Sequence, residues 1–143
     1  MVQAFAVQER IESPADRVWD ELTAWDRAPA WMPGIEAMRA DGPTAAGTHV
    51  RYTARGAEQT STVTACEPGR LLTLTSERGP VRASYTYTLE AQGPATRVDL
   101  VVDVATRGAA RVFGPLLRRM MKRADGGQLH ALRRVLEQES ATA

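Results

Sequence analysis

The stretch that decides the fold is AARVFGPLLRRMMKRADGGQLHALRRVLEQE, residues 109–139. Its apolar side chains recur at helical spacing: Phe113, Leu117, Met120, Met121, Ala124, Leu129, Leu132, Val135 and Leu136. This pattern predicts one long amphipathic helix. A helix of roughly 25–30 residues spans about 37–45 Å, which is more than a sheet of short strands covers evenly. We therefore expect a space between helix and sheet, and an apolar space with a few polar groups would hold a small molecule.

Two adjacent glycines, Gly126 and Gly127, lie inside this predicted helix. Together they cost about 2 kcal/mol relative to two alanines in a helix interior. Such a pair marks a kink, a break or a gate over the predicted space, and the sequence leaves these three alternatives open.

The chain before the long helix is predicted to form one strand, two short helices and six further strands. Residues 3–11 alternate between two sides, which is typical of a strand. The segment 13–16 starts a short helix, with Ser13 predicted to cap it. A second helical turn over residues 25–30 ends before Pro33, because proline interrupts helices.

From residue 35 onward, strands alternate with turns. Turn signals fall at residues 41–43, 55–56, 67–69, 78–80 and 92–94. Strands joined by such short turns are antiparallel. Alternation places one set of side chains on the inner face of the sheet: Val50, Tyr52, Ala54, Ala83, Tyr85, Tyr87, Leu89, Val98, Leu100, Val102 and Val104. By the same alternation His49, Arg51 and Arg55 point outward.

Length and composition indicate one domain over residues 1–143, because 143 residues with 43% hydrophobic content can bury a substantial core. There is no run of about 18 apolar residues and no charged leader followed by an apolar block, so we expect a soluble, cytoplasmic protein. The single cysteine, Cys66, excludes an internal disulfide and agrees with a reducing compartment.

Charge is distributed unevenly along the chain. Residues 1–104 carry 10 basic and 14 acidic side chains, and residues 105–143 carry 8 and 3, so the two parts have net charges of −4 and +5. A solvated basic helix face explains this simply, and a peripheral membrane contact through the basic C-terminal helix is the alternative. We expect no nucleic acid partner, because no aromatic side chains are interleaved with these cations.

Several landmarks along nearly the whole chain carry a family resemblance. They lie at residues 13–22, 31–34, 47–48, 67–71, 96–98 and 129–137. With them the chain resembles the START-like (SRPBCC) superfamily, which includes polyketide cyclases/dehydrases, lipid-transfer domains and the birch pollen allergen. The resemblance implies an α+β helix-grip fold, in which a curved seven-stranded antiparallel sheet surrounds a long C-terminal helix and two short helices follow the first strand. It also implies a deep cavity for a hydrophobic ligand, in members that range from carriers to cyclases.

The candidate catalytic residues are Tyr85, Tyr87 and Glu9. The tyrosines share one strand face and carry hydroxyls that need partners when buried. Glu9 is a carboxylate on an otherwise apolar strand face, where burial raises proton affinity. Enolisation and dehydration of a poly-ketone need an acid or base and an oriented chain, which these residues could supply. Alternatively the tyrosines fill the core, and Glu9 faces water or pairs with an arginine.

The candidate ligand-binding residues are apolar or aromatic side chains expected to face the cavity: Trp31, Val50, Tyr52, Tyr85, Tyr87, Phe113, Leu117, Met120 and Met121. Ordinary core packing explains the helical members of this set equally well. We expect no metal, because His49 and His130 lack neighbouring ligands at metal spacing. No serine lies in a nucleophile elbow, and we expect no cofactor.

These observations favour a protein that binds a hydrophobic, polycyclic or polyketide-like small molecule. The leading hypothesis is an enzyme of the polyketide cyclase/dehydrase type. The alternative is a non-catalytic carrier or sequestering protein for a lipid, quinone or other apolar metabolite. The chain could be a monomer or, because a sheet edge is exposed, a homodimer.

Overall fold

The computed structural model describes residues 2–142, with side chains over residues 2–139. Seven strands, three α-helices and two short 3-10 helices follow one another along this part of the chain. In chain order they are β1 (Val2–Ile11), α1 (Ala15–Leu22), η1 (Trp25–Ala30), β2 (Ile35–Ala40), β3 (His49–Ala54), β4 (Ala57–Glu67), β5 (Leu71–Arg78), β6 (Val81–Gln92), β7 (Ala95–Thr106), η2 (Gly108–Phe113), α2 (Gly114–Asp125) and α3 (Gln128–Thr142).

The seven strands form one antiparallel sheet in the order β1-β7-β6-β5-β4-β3-β2. Each strand from β2 to β7 pairs with its sequence neighbour, as short turns require, and β1 crosses over to pair with β7. The two edges of the sheet are therefore β1 and β2, which are joined by α1 and η1. The predicted α+β helix-grip architecture is confirmed.

The core lies between the inner face of the sheet and α3. On β7, Val98, Leu100, Val102 and Val104 are buried and alternate with less buried neighbours, most of which are polar. From α3, Leu129, Leu132 and Leu136 pack into the same cluster, one helical turn apart. The apolar side chains that alternate along the strands thus pack against those that recur at helical spacing on α3. The predicted sidedness of β6 and β7 is confirmed.

The C-terminal helical region is interrupted, and the interruption lies at Gly126 and Gly127. The region begins as the 3-10 turn η2, continues as α2 and resumes after the glycines as α3. The Gly126 amide still donates to the Lys122 carbonyl at 2.8 Å, so helical bonding continues to the first glycine. Of the three alternatives for this pair, the structure shows a break.

The start of α1 differs from the prediction. Pro14 is the N-cap residue, and no side chain caps the helix. Ser13 is buried, and its hydroxyl has no hydrogen-bond partner among the described residues. Its carbonyl instead accepts a hydrogen bond from the Thr96 hydroxyl of β7 at 2.8 Å, so Ser13 fixes the chain to the sheet rather than capping the helix.

None of the described helices combines the length and the apolar content needed to cross a membrane.

Candidate functional site

A cavity of about 420 Å³ lies between the inner face of the sheet and the junction of α2 with α3. This volume is within the range of small-molecule sites, roughly 300–1,000 Å³. Every strand from β2 to β6 contributes, together with the segment that follows η1. The lining residues are Met32, Pro33, Gly34, Ile35, Met38, Tyr52, Ala54, Arg55, Ser61, Leu74, Ser76, Tyr85, Tyr87, Ala124, Asp125 and Gln128.

One side of the cavity is apolar and adaptable. Met32 precedes β2, Ile35 and Met38 lie on β2, and Leu74 contributes from β5. Methionine side chains are unbranched and polarisable, so they accommodate ligands of different outline. Pro33 is exposed, which places it on the rim of the cavity.

The opposite side carries a hydrogen-bonded network across β6 and the junction of the two helices. The Tyr85 hydroxyl donates to Asp125 Oδ2 at 2.6 Å, and the Tyr87 hydroxyl donates to Gln128 Oε1 at 2.6 Å. The Gln128 side chain is also hydrogen-bonded to Asp125. The carboxylate thus receives hydrogen bonds from both Tyr85 and Gln128, while Gln128 is held by Tyr87.

The surroundings of Asp125 favour the protonated form of its carboxyl group. Burial raises the pKa of Asp125 above its ordinary value; the hydrogen bonds from Tyr85 and Gln128 and the charge of Arg55 oppose this effect without cancelling it. Burial, followed by the charge of Asp125, also raises the pKa of Tyr85 and of Tyr87. Both phenols therefore stay protonated and act as donors, whereas Asp125 is the group that can exchange a proton.

Arg55 lies at the rim of the cavity in an unusual backbone conformation. It has φ of +53° and is followed by Gly56 with φ of +74°, which makes the β3–β4 connection a two-residue hairpin turn with both central residues left-handed. Asparagine, aspartate and glycine are the residues that usually occupy the first position of such a turn. The sequence alternation predicted Arg55 to point outward, and the residue is exposed, but it also borders the cavity.

Trp31 lies behind the network rather than in the cavity lining. Its ring meets the ring of Tyr87 edge to face, with centroids 6.2 Å apart and an angle of 86°. It is 2% exposed, and its indole nitrogen has no hydrogen-bond partner among the described residues. Trp31 thus supports the ring that holds Gln128.

The structure brings only some of the predicted ligand-binding residues to the cavity. Tyr52, Tyr85 and Tyr87 line it. Val50 is fully buried in the core beside it. The α2 members lie outside the cavity lining: Leu117 and Met121 are half-buried against the fold, while Phe113 and Met120 are exposed.

Glu9 lies away from the tyrosines with which it was expected to act. Its Oε1 accepts a hydrogen bond from Arg133 Nη1 of α3 at 2.9 Å, and His130 Nδ1 lies 3.8 Å away. It does not line the cavity described above. The arginine pairing that was the alternative interpretation of Glu9 is therefore present, and the carboxylate beside the tyrosines is Asp125.

Sequence reasoning missed Asp125 and Gln128, although one signal was available. Asp125 is the single acidic residue between Arg107 and Arg134 and immediately precedes the glycine pair. An isolated carboxylate in a basic helix, at the point where that helix breaks, indicates a specific partner.

The remaining candidates for chemistry are not part of the cavity. His49 is exposed on β3, with its Nδ1 3.2 Å from the Thr62 hydroxyl. No group of three or more histidine, cysteine, aspartate or glutamate side chains that could hold a metal ion is found among the described residues.

Solved structures with the same fold match almost the whole length of this chain. One half of the two-domain aromatase/cyclase BexL matches with a TM-score of 0.79 and 18% identity, over 96% of this chain and 47% of that one, so this chain spans about half its length. The ZhuI aromatase/cyclase of a Streptomyces species matches with a TM-score of 0.75 and 18% identity, over 95% and 94%. A START superfamily protein from Mycobacterium smegmatis matches with a TM-score of 0.75 and 15% identity, over 94% and 97%.

Comparison of sequences identifies the family. Among curated proteins, no sequence matches this chain significantly. The model of one family, described as polyketide cyclase/dehydrase and lipid transport, matches residues 3–137. The chain, with its START-like fold and its cavity under the C-terminal helices, therefore belongs to the polyketide cyclase/dehydrase and lipid transport family.

Proposed function

We propose that this protein binds a hydrophobic, polyketide-like or polycyclic small molecule in the cavity and acts on it as an enzyme of the cyclase/dehydrase type. The observation that carries the proposal is Asp125, a carboxyl group of raised pKa that faces an otherwise largely apolar cavity and is held in place by Tyr85 and Gln128. A general base or acid works best when its pKa is moved toward the ambient pH, and burial moves Asp125 in that direction.

The chemistry that this arrangement suits is an intramolecular aldol condensation of a poly-ketone. The Asp125 carboxylate removes a proton from a methylene group between two carbonyls, and the electron pair of the C–H bond forms an enolate. The enolate carbon attacks a second carbonyl carbon of the same chain, and the π electrons of that carbonyl move to its oxygen, which takes up the proton that Asp125 holds. Loss of water then gives an enone, so the step is redox-neutral and needs no co-reactant.

The other residues of the network have distinct roles in this proposal. Because its pKa is raised, Tyr85 stays protonated and can donate a hydrogen bond to a developing enolate oxygen once it leaves Asp125. Tyr87 is a positioning residue, since it acts through Gln128. The apolar side of the cavity, with Met32 and Met38, holds the chain in a folded form that brings two of its carbonyls together.

A carrier function is the second candidate, and one observation favours it. The hydroxyls of Tyr85 and Tyr87 both already donate to protein groups at 2.6 Å, so neither can donate to a ligand carbonyl without giving up that bond. A carrier needs only the apolar surface and the volume.

The test separates binding from turnover. Binding is followed with the neutral fluorophore N-phenylnaphthylamine, and turnover with a short linear poly-β-ketone ester whose cyclised product absorbs in the ultraviolet. We expect Asp125→Asn to retain fluorophore binding within about twofold and to lose at least roughly 100-fold in turnover, the usual size of a general acid–base contribution. Asp103→Asn, on the outer face of β7, is the matched control and should change neither quantity.

The outcomes discriminate between the two candidates. Equal cyclisation by the wild type and by Asp125→Asn, both no faster than in buffer, contradicts the enzyme and leaves the carrier. Loss of fluorophore binding when Met38 is replaced by a larger Trp, with no change in the Asp103→Asn control, assigns the binding to this cavity. Binding that survives this substitution contradicts both candidates.

A further inference from the structure

Four large apolar side chains lie exposed along one edge of η2 and α2. They are Val112, Phe113, Leu116 and Met120, with exposed fractions between 55% and 79%. Val112 and Phe113 are adjacent, and Leu116 and Met120 follow at steps of three or four residues, so the four form a continuous row, which we call the α2 apolar strip. A contiguous exposed row of this kind is uncommon on a soluble domain and marks an interaction surface.

Basic side chains, with no acidic ones among them, border the α2 apolar strip. Residues 107–124 contain six basic side chains and no acidic one: Arg107, Arg111, Arg118, Arg119, Lys122 and Arg123. Arg119 and Arg123 each follow a member of the strip by three residues, so they lie beside it on the helix surface. The strip therefore has a charged border along its length.

Carboxylates within the described part of the chain do not pair with these six cations. Eight arginines elsewhere in residues 2–139 form ion pairs, for example Arg133 with Glu9 and Arg97 with Glu90. None of the six takes part in an ion pair found among those same residues. Their charge is therefore available to an anionic surface outside the molecule.

We propose that the α2 apolar strip and its six cations dock on the surface of an anionic lipid bilayer, with α2 lying in the plane of the interface. A helix that combines an apolar edge with a basic face inserts the apolar side chains at the level of the headgroups, while the cations meet the lipid phosphates. An acidic protein would neutralise the cations, but it would need a matching groove for the strip, whereas acyl chains adapt to it.

This inference goes beyond the proposed function and does not depend on it, because no residue of the α2 apolar strip lines the cavity. The two surfaces are nevertheless close along the chain. Met120 is one helical turn, about 6 Å along the axis, from Ala124 of the cavity lining. Docking through the strip would bring the cavity to the bilayer surface, where apolar ligands partition.

The experiment is sedimentation of the full chain with vesicles, without added ligand. Vesicles of equal parts phosphatidylglycerol and phosphatidylcholine are compared with phosphatidylcholine alone, at low and at high salt. We expect binding to the anionic vesicles at low salt only. The variant Arg119→Gln/Lys122→Gln/Arg123→Gln should bind about 100-fold more weakly, since each cation near an anionic surface contributes about 1 kcal/mol.

Two further variants make the test specific. Phe113→Ser/Leu116→Ser/Met120→Ser should bind at least about 10-fold more weakly, because the inserted apolar area is lost. Arg39→Gln/Arg78→Gln/Arg134→Gln removes the same charge from other exposed positions and should retain most of the binding. All of the substituted side chains lie at the surface, so the variants should fold, which circular dichroism verifies.

Three results would overturn the proposal. The first is no sedimentation with anionic vesicles at low salt. The second is an equal loss in the α2 charge variant and in its control, which would reduce the effect to net charge. The third is binding to polyglutamate as tight as to the vesicles and unchanged in the apolar variant, which would indicate an acidic protein partner.

Discussion

Replacing Tyr87 with phenylalanine tests whether the network between β6 and the helix junction stabilises the fold. The substitution keeps the ring, and with it the edge-to-face contact with Trp31 at 6.2 Å. It removes only the hydroxyl that donates to Gln128 Oε1 at 2.6 Å. Tyr87 is 1% exposed and Gln128 is 5% exposed, so the abandoned oxygen has little contact with bulk water.

The expected cost follows from that burial. A buried acceptor left without its donor costs about 1–3 kcal/mol. Because Gln128 lines the cavity, a water molecule there could replace the donor in part, and we expect a loss of about 1–2 kcal/mol in the free energy of unfolding. Tyr52→Phe is the matched control, since its hydroxyl donates to Gln59 at 3.0 Å in a half-buried position, and it should cost less than about 0.5 kcal/mol.

The assay is urea unfolding of a double-mutant cycle. Tyr87→Phe, Gln128→Leu and the double variant are compared by their transition midpoints at constant m-value. The double variant should be more stable than the sum of the single losses predicts, by about 1 kcal/mol or more, because removing both partners leaves no unsatisfied oxygen at this bond. Losses that add within about 0.5 kcal/mol, or a Tyr87→Phe variant as stable as Tyr52→Phe, would refute the reasoning.

Three further predictions concern the same region. Because folding raises the pKa of Asp125, the folded state holds the proton more tightly, and the stability contributed by protonation is lost as pH rises through the folded-state pKa. Asp125→Asn, which carries no charge, should therefore melt higher than the wild type at neutral pH, with a smaller difference in acid. An equal difference in melting temperature at both pH values would contradict this. Gly126→Ala should lower the free energy of unfolding in urea by about 1–3 kcal/mol, since the new Cβ would lie 2.5 Å from the Lys122 carbonyl oxygen. In Gly127→Ala the new Cβ meets nothing within 4 Å, so this variant should be neutral or stabilising. The reverse order of stability would contradict the placement of the break. Arg55→Asn should raise stability by about 1 kcal/mol, because asparagine adopts the left-handed conformation more readily, and an unchanged unfolding midpoint would show that this turn holds no such strain.

The fold could be predicted because two local periods and a set of turn residues determine it together. On β6, Tyr87 and Leu89 alternate with more exposed neighbours, and turns such as Arg55-Gly56 end each strand at the predicted place. Such signals depend only on neighbours along the chain. They specify which face of each strand is buried and, through turn length, that successive strands pair.

The residues that line the cavity could not be predicted in the same way. Hydrophobic periodicity identifies the apolar arc of α2, but not how much of that arc the sheet covers. Leu117 and Met121 are half-buried, while Phe113 and Met120, neighbouring positions on the same arc, are exposed. Which half of an apolar arc is covered depends on the distance and tilt of the helix, and these are set by the whole sheet.

The carboxylate of the site was missed for a related reason. Glu9 attracts attention because it interrupts an apolar alternation, but α3 passes over its strand and supplies Arg133. Asp125 interrupts no hydrophobic alternation, and its only signal in the sequence is that it is the single acidic residue between Arg107 and Arg134. Its role depends on the Tyr85 hydroxyl of β6, which donates to it at 2.6 Å, and local sequence patterns do not reveal a contact between residues 40 positions apart.

The geometry of the break also bears on whether the glycine pair is a gate. Tyr85 and Tyr87 are two residues apart on β6, roughly 6.6 Å, and each bonds to one side of the junction, Asp125 before the glycines and Gln128 after them. Lifting the junction from the sheet would break both hydrogen bonds, of which the Tyr87 bond is buried and the Tyr85 bond is partly buried. If each costs at least about 1 kcal/mol, the lifted form is populated at no more than a few per cent, so the glycines allow the chain to bend there while the tyrosines hold the bend closed. We expect a ligand to enter at the exposed rim near Pro33 and Arg55, because neither of these two hydrogen bonds holds that rim.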